Sequence, residues 1–209
     1  MSKNVSQILI NDSEDPISPL VNQSITSVRN CFSDFSYTLY RKKNIIEFID
    51  QGFGSDTLKA FHKLKPYAYK ADLARYCICY LNGGLYADIS IRMIGKVSIS
   101  DNCEFLSFKS WPNHVNYLPY HIENSLFYTK PKNPIFKKAI ELVIENCRNE
   151  FYGVSPLCPT GPGVLGRAFA MIGMKQNHIL GECLHLTPYH QNTNRSFVLP
   201  NGNIFALYK

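Results

Sequence analysis

The first third of the chain alternates between two hydrophobic periods. Val5 to Ile10 is a short apolar-rich run of the kind that forms a strand, and an acidic turn from Asn11 to Pro16 follows it. Ser18-Pro19 offers an N-cap and a first-turn proline for a helix reaching about Asn30. Phe35 to Tyr40 alternates as a strand. Asn44 is placed to cap a helix through Asp50, and Asp56 another over Thr57 to Leu64. Strand and helix in alternation predict an α/β domain with a largely parallel central sheet flanked by helices.

The strongest helical pattern runs from Pro66 to Leu81, with apolar positions at Leu73, Tyr76, Cys77 and Tyr80. Asn82-Gly83-Gly84 ends it, because glycine accepts the left-handed cap conformation. Leu85 to Ile91 then reads as a strand. Its alternation puts Tyr86, Asp88 and Ser90 on one face and Leu85, Ala87, Ile89 and Ile91 on the other. Glu104 to Phe108 and Ser125 to Tyr128 are further strands. Asn133-Pro134 opens a helix with Phe136, Ala139, Ile140, Val143, Ile144 and Cys147 along one side. A Pro/Gly-rich loop, Pro156 to Gly163, leads into a helix over Val164 to Ile172. Phe197 to Tyr208 reads as a hairpin closed at Pro200-Asn201-Gly202-Asn203. No repeat, low-complexity stretch or linker divides the chain, so one domain over residues 1–209 is expected.

Composition changes this picture little. The chain is 45% hydrophobic and 18% charged, with no apolar stretch near the roughly 20 residues that span a bilayer and no secretory signal. A soluble, cytoplasmic protein is expected, with at most peripheral contact at an inner membrane face. The seven cysteines are odd in number, irregularly spaced and without a CxxC pair, which favours reduced core thiols over a zinc site. The net charge of +6 suits anionic partners. It is dispersed, its densest runs being Arg41-Lys42-Lys43 and Lys63-Leu64-Lys65, so nucleic-acid binding is not expected. With no GxxxxGK[ST] or GxSxG sequence, P-loop chemistry finds no support and hydrolase readings stay open only by default.

Candidate chemistry concentrates in one segment. Asp72 and Arg75 stand three apart on the long helix and share a face. By itself such a pair is an ordinary helix ion pair. Asp88, however, stands on a strand with apolar flanks, where a carboxylate is costly unless paired or metal-bound. Helix and strand are antiparallel neighbours joined by the glycine turn, so Asp72 and Arg75 can approach Asp88.

The run Asp72-Leu-Ala-Arg75-Tyr76, with Tyr80, Gly83-Gly84-Leu85-Tyr86, Asp88 and Ser90, resembles the sugar-binding "DXD" region of family 32 glycosyltransferases. That group includes mannosyltransferase-like and capsular polysaccharide enzymes, and the clostridial glucosylating toxins share its core. The likeness is close over about 25 residues and weaker at Phe35 to Tyr40 and Thr160 to Gly163. It implies a GT-A-like nucleotide-sugar-binding fold and a retaining glycosyltransferase, moving a hexose-type sugar from a UDP- or GDP-sugar to a glycan acceptor. The acceptor would be lipid-linked, in surface polysaccharide synthesis. By the same resemblance Asp72, Arg75 and Asn124 would contact the donor sugar, with Glu123 a second choice to Asn124. Tyr86 would pack on ribose or base, with Gly83 and Gly84 beside it. Asp88, with Ser90, would hold Mn²⁺ or Mg²⁺. Asp88 and Arg75 would carry catalysis.

The family's second acid is Ser90 here, giving Asp88-Ile89-Ser90. A hydroxyl supplies no charge, so the alternative is a non-catalytic nucleotide-sugar-binding module. Thr160 to Gly163 resembles a loop that shapes the acceptor side, or is simply a helix start. Trp111 is a weak acceptor-side candidate. His185 and His190 could approach the diphosphate, although a surface or core role is the simpler reading.

Overall fold

The computed structural model describes residues 2–12, 16–95, 98–110, 121–175, 177–185 and 195–208. In chain order the elements are β1 (Asn4–Leu9), α1 (Pro19–Cys31), β2 (Ser36–Arg41), α2 (Lys42–Phe53), α3 (Ser55–Lys63), α4 (Tyr67–Asn82), β3 (Gly84–Ala87) and β4 (Ile91–Met93). They continue with β5 (Phe105–Ser110), β6 (Leu126–Thr129), α5 (Pro134–Arg148), α6 (Pro162–Ile172), β7 (His178–His185), β8 (Arg195–Val198) and β9 (Ile204–Tyr208). Ser18 caps α1 by accepting from Val21 N, and Asn133 caps α5 by accepting from Ile135 N, as their positions before proline predict. Asn44 and Asp56 do not cap. Each lies inside the first turn of its helix, Asn44 instead accepting from Arg41 N, because α2 and α3 begin at Lys42 and Ser55.

The strands form one sheet in the order β2-β1-β3-β6-β5-β7-β8-β9-β4. Three of its eight pairings are parallel, β1 with β2, β1 with β3 and β5 with β7, so the sheet is mixed rather than largely parallel. The initial alternation of strand and helix governs only the β2-β1-β3 side. Beyond β3 the pairings are antiparallel except that of β5 with β7, a strand the sequence pattern did not announce.

β3 and β4 occupy the third and ninth places in the sheet but are separated only by Asp88–Ser90. A flat sheet would hold them roughly 29 Å apart, whereas four residue steps reach at most roughly 14 Å. The sheet therefore curls until β4 and its partner β9 come back near the end of β3. The Ser24 hydroxyl of α1 donates to the Ile91 carbonyl and helps hold β4 in that position.

Alternation along β3 assigns the two cores. Tyr86 faces the layer packed by α2 to α6, together with Phe105, Phe127 and Phe136. Leu85 and Ala87 face the other layer, with Val28 of α1, Ile91 and Met93 of β4, and Phe197 and Phe205. Each fully buried Phe contributes about 1.5–3 kcal/mol of burial free energy. None of the seven cysteines forms a disulfide among the described residues, and five are buried.

Gly83 caps α4 with φ +60°, as expected, its N–H donating to the Cys79 carbonyl. At Gly84, φ is +97° and an added Cβ would lie 2.3 Å from the Asn4 carbonyl oxygen, so β3 lies against β1 as closely as backbones allow. Gly84→Ala is expected to lower unfolding free energy by at least about 2 kcal/mol, since left-handed strain and a backbone clash coincide there. Urea unfolding of the variant measures this.

Candidate active site

Because the chain reverses at Gly83, the first half of α4 and Asp88, just past the end of β3, meet at one end of that strand. Arg75 occupies that junction and is only 4% exposed. Its Nη2 lies 3.1 Å from Asp72 Oδ1 and its Nη1 2.9 Å from Asp88 Oδ1. Nη1 also donates to the Asn124 carbonyl at 2.7 Å, and Nε donates to Ala71 O at 3.2 Å. The guanidinium plane sits 4.8 Å above the Tyr86 ring. One planar cation thus ties α4, the end of β3 and the segment before β6 together, a task suited to the fixed fork of arginine.

Asp72 is fully engaged. Oδ1 accepts from Asn124 Nδ2 at 2.8 Å and Oδ2 from the Thr160 hydroxyl at 2.7 Å. Asn124 also donates to the Tyr76 hydroxyl, which in turn bonds the Thr160 and Gly161 carbonyls. Thr160 therefore brings the loop before α6 onto the α4 carboxylate. Asp88 is more open, its side chain 23% exposed. The Tyr86 hydroxyl donates to Asp88 Oδ1 at 2.7 Å, and among the described residues Oδ2 accepts no hydrogen bond. Its backbone is fixed from two sides: Asp88 N donates to Ser125 O at 2.7 Å, and Gln7 Nε2 to Asp88 O at 3.2 Å. The Tyr37 hydroxyl orients that glutamine by donating to its Oε1.

Two acids share one cation here, and the electrostatics follow from that. Burial pushes both carboxyls above their ordinary range; Arg75 and the hydrogen bonds to each oppose this without cancelling it. Burial works against the Arg75 cation too, but Asp88, Tyr86 and Asp72 outweigh it and hold the guanidinium firmly charged. A cation gains from both neighbours, whereas each acid has only a share of one cation. Beside this trio Glu123 is buried, accepting from Ser125 Oγ and from Arg195 Nη1 of β8, each at 3.3 Å. Burial lowers the pKa of His121 nearby, Glu123 opposing and Arg195 adding to the shift.

Several expectations about individual residues change. β3 ends at Ala87, where Asp88 N turns to Ser125 and Ile91 N bonds Asp88 O. Ser90 is thus in a turn and does not continue the strand face of Tyr86 and Asp88. Tyr86 is 1% exposed, stacked on Phe127 at 5.3 Å and covered by Arg75, so it supports the site from beneath and has no face for a ribose or base. Gly83 and Gly84 lie at the opposite end of β3 from Asp88, packed against Pro131 and Asn4. They shape the turn and are not at the site. Asp72, Arg75, Asp88 and Asn124 are brought together. Tyr76 and Thr160, both within stretches that carried the resemblance, join them through Asn124 and Asp72, and Gln7, which no motif announced, joins through the Asp88 carbonyl. Trp111, His190 and the His185 side chain lie outside the described residues.

Among the described residues, no group of three or more His, Cys, Asp and Glu side chains forms a metal cage. One open carboxylate oxygen, Asp88 Oδ2, with the Ser90 hydroxyl close in sequence, fits a different mode. A hard divalent cation such as Mg²⁺ commonly keeps waters and binds one or two carboxylates plus substrate phosphates. The donor set suits that mode.

The curled mixed sheet flanked by helices is the fold of GT-A-type glycosyltransferase domains. Residues 18–115 match the model of the glycosyltransferase sugar-binding region containing the DXD motif, so the resemblance read from the residues holds over that part of the chain. An uncharacterized glycosyltransferase, L373, of Acanthamoeba polyphaga mimivirus is 29% identical over 106 residues, 49% of this chain and 39% of that protein. The chain thus spans about two fifths of the length of that curated relative. Among solved structures, the PaToxG glycosyltransferase superposes with a TM-score of 0.66 at 17% identity, over 82% of this chain and 69% of the other. The ligand-free glycosyltransferase domain of the YGT toxin gives 0.59 at 8% identity, over 82% and 78%. At these identities the structural likeness establishes the fold.

Proposed function

We propose that the protein is a glycosyltransferase that removes a hexose-type sugar from a nucleoside-diphosphate donor and places it, with retention at the anomeric carbon, on a glycan acceptor. The observation that supports this most is the Arg75 bridge between Asp72 and Asp88, with Asp88 Oδ2 left open. Asp72 and Asn124 supply sugar-hydroxyl partners, held rigid by Thr160 and Tyr76. Arg75 supplies fixed positive charge where the leaving diphosphate gains negative charge, preorganised by four contacts.

In the transfer, an acceptor hydroxyl oxygen bonds to the anomeric carbon as the bond from that carbon to the β-phosphate oxygen breaks. The electron pair leaves with the nucleoside diphosphate, and the hydroxyl proton passes to that phosphate on the same face. The chain's residues orient the sugar and stabilise the departing charge. Asp88 Oδ2 and Ser90 would hold a divalent cation, which when bound supplies Lewis-acid charge to the phosphates.

The acceptor is taken as lipid-linked, as in surface polysaccharide synthesis. The net charge of +6 supports weak contact with an anionic membrane face. Among the described residues no helix is long and apolar enough to cross a membrane.

Asp88-Ile89-Ser90 supports a second reading, a module that binds nucleotide sugars without turnover. A screen of UDP- and GDP-hexoses for binding and hydrolysis, with Mn²⁺, Mg²⁺ or chelator, separates the two. Slow, metal-stimulated hydrolysis of one donor is expected. Binding without hydrolysis selects the module, and no binding of any nucleotide sugar overturns both.

A further inference from the structure

Six of the eleven exposed large apolar side chains among the described residues lie between residues 151 and 174. Phe151, Tyr152, Val154 and Leu157 stand on the loop from α5 to α6, where residues 151–157 carry no charge. Tyr152 is 70% exposed and Val154 76%. Met171 and Met174 stand at the far end of α6. Arg167 joins the two groups. It borders a cavity together with Phe151 and Tyr152, and it shares a helical face with Ala170 and Met171, three and four positions on. The other face of α6 packs in the core through Val164, Leu165 and Ala168. Contiguous apolar exposure of this kind marks a surface that meets a partner.

The charge around it is mainly positive. Lys65 lies beside Phe151 and Tyr152, and Lys175 follows Met174; both are exposed, as is Arg167. No acid occurs on α6. Glu145 and Glu150 border the α5 side, and Glu150 is tied to Lys63 at 3.3 Å.

We propose that the 151–157 loop and the outward stripe of α6 form a docking surface for an anionic lipid bilayer. Apolar tips that enter the headgroup boundary, set among cations that meet lipid phosphates, bind a surface element to a membrane. The two apolar groups are separated by the roughly 16 Å length of α6, with a cation between them. A flat, yielding partner accepts both tips at once. A second copy of the chain does not suit the surface, because self-docking would bring its own cations together. The loop ends three residues before Thr160, whose hydroxyl bonds Asp72, so docking holds that carboxylate network close to the bilayer. The surface adds an apolar anchor to the weak electrostatic contact of the proposed function, and its lipid binding does not depend on the glycosyltransferase reading.

Cosedimentation of the chain with vesicles tests this, using phosphatidylcholine alone and an equal mixture with phosphatidylglycerol. The protein is expected to bind the mixture, and phosphatidylcholine at least about tenfold more weakly. Val154→Asp is expected to weaken binding to the mixture at least about tenfold, the scale of one apolar side chain withdrawn from lipid. Arg167→Glu should weaken it roughly tenfold to thirtyfold, as two units of charge near the surface. Both positions are exposed, so the fold survives each change. Leu20→Asp, on α1 across the sheet, is the control and leaves binding unchanged. Equal binding by Val154→Asp, equal binding to both vesicle types, or no binding by the wild type overturns the surface. Self-association of the wild type that Val154→Asp abolishes overturns it too, by making a second copy the occupant. Donor hydrolysis is followed in parallel without vesicles. Hydrolysis with no vesicle binding sinks the docking surface alone, whereas vesicle binding with no hydrolysis of any nucleotide sugar sinks the enzyme reading alone.

Discussion

Asp88→Asn is expected to lower sugar transfer and donor hydrolysis by at least about a thousandfold while leaving the protein folded. The amide keeps the shape and can still accept at Oδ1 from Tyr86 and Arg75, so the supporting bonds persist. What disappears is the charge of the open Oδ2. Stability moves the other way. Burial raises the folded-state pKa of Asp88 above the ordinary carboxyl value of 3.8, and Asp72 behaves alike. Such a group favours the folded state fully below its unfolded pKa and loses that advantage as pH rises through the folded value. The wild type therefore weakens relative to Asp88→Asn as the pH rises above the ordinary carboxyl value of 3.8. Urea unfolding of both proteins at pH 4 and pH 7.5 should show a gap that widens with pH in favour of the asparagine, beside an activity that is gone. Wild-type turnover in the variant would remove Asp88 from the chemistry.

Arg75→Met should do more damage, and of a different kind. It leaves Asp72 and Asp88 facing each other without their shared cation, and it orphans the Asn124 carbonyl. Removing one partner from buried charges costs about 3–5 kcal/mol. Thermal or urea unfolding should report a loss of this order at neutral pH, with no detectable transfer. Arg75→Lys keeps the charge but cannot reach Asp72 Oδ1, Asp88 Oδ1, Asn124 O and Ala71 O from one ammonium. It should recover part of the stability and little of the activity. Full activity in the lysine variant would mean that charge alone, and not the planar bridge, is what the site needs.

The two variants divide the site into a part that performs and a part that holds. Asp88 keeps Oδ2 without a hydrogen bond among the described residues, while Asp72, Asn124, Thr160 and Tyr76 bind one another. Placing the open acid at a strand end and the closed acid inside a helix explains why 23% of one side chain and 11% of the other is exposed.

Local patterns determined much of this molecule. Caps at Ser18 and Asn133, the long helix ending at Gly83 and the apolar stripe of α5 depend on residues within a few positions of each other, and the chain states them outright. The approach of Asp72 and Arg75 to Asp88 was legible for the same reason, since a helix, a two-glycine turn and a strand leave little choice of geometry. The tertiary structure decided what depends on distant partners. Curling of the sheet, the antiparallel strands beyond β3 and the insertion of β7 follow from pairings across tens of residues, and alternation along one strand carries no information about its neighbour. The same holds within the site. Thr160 lies 88 residues from Asp72 and Arg195 lies 72 from Glu123, so only packing could bring them together. Tyr86 turned from a ligand-facing residue into a support because Arg75 and Phe127 took both faces of its ring, an outcome set by three elements meeting and not by any one of them.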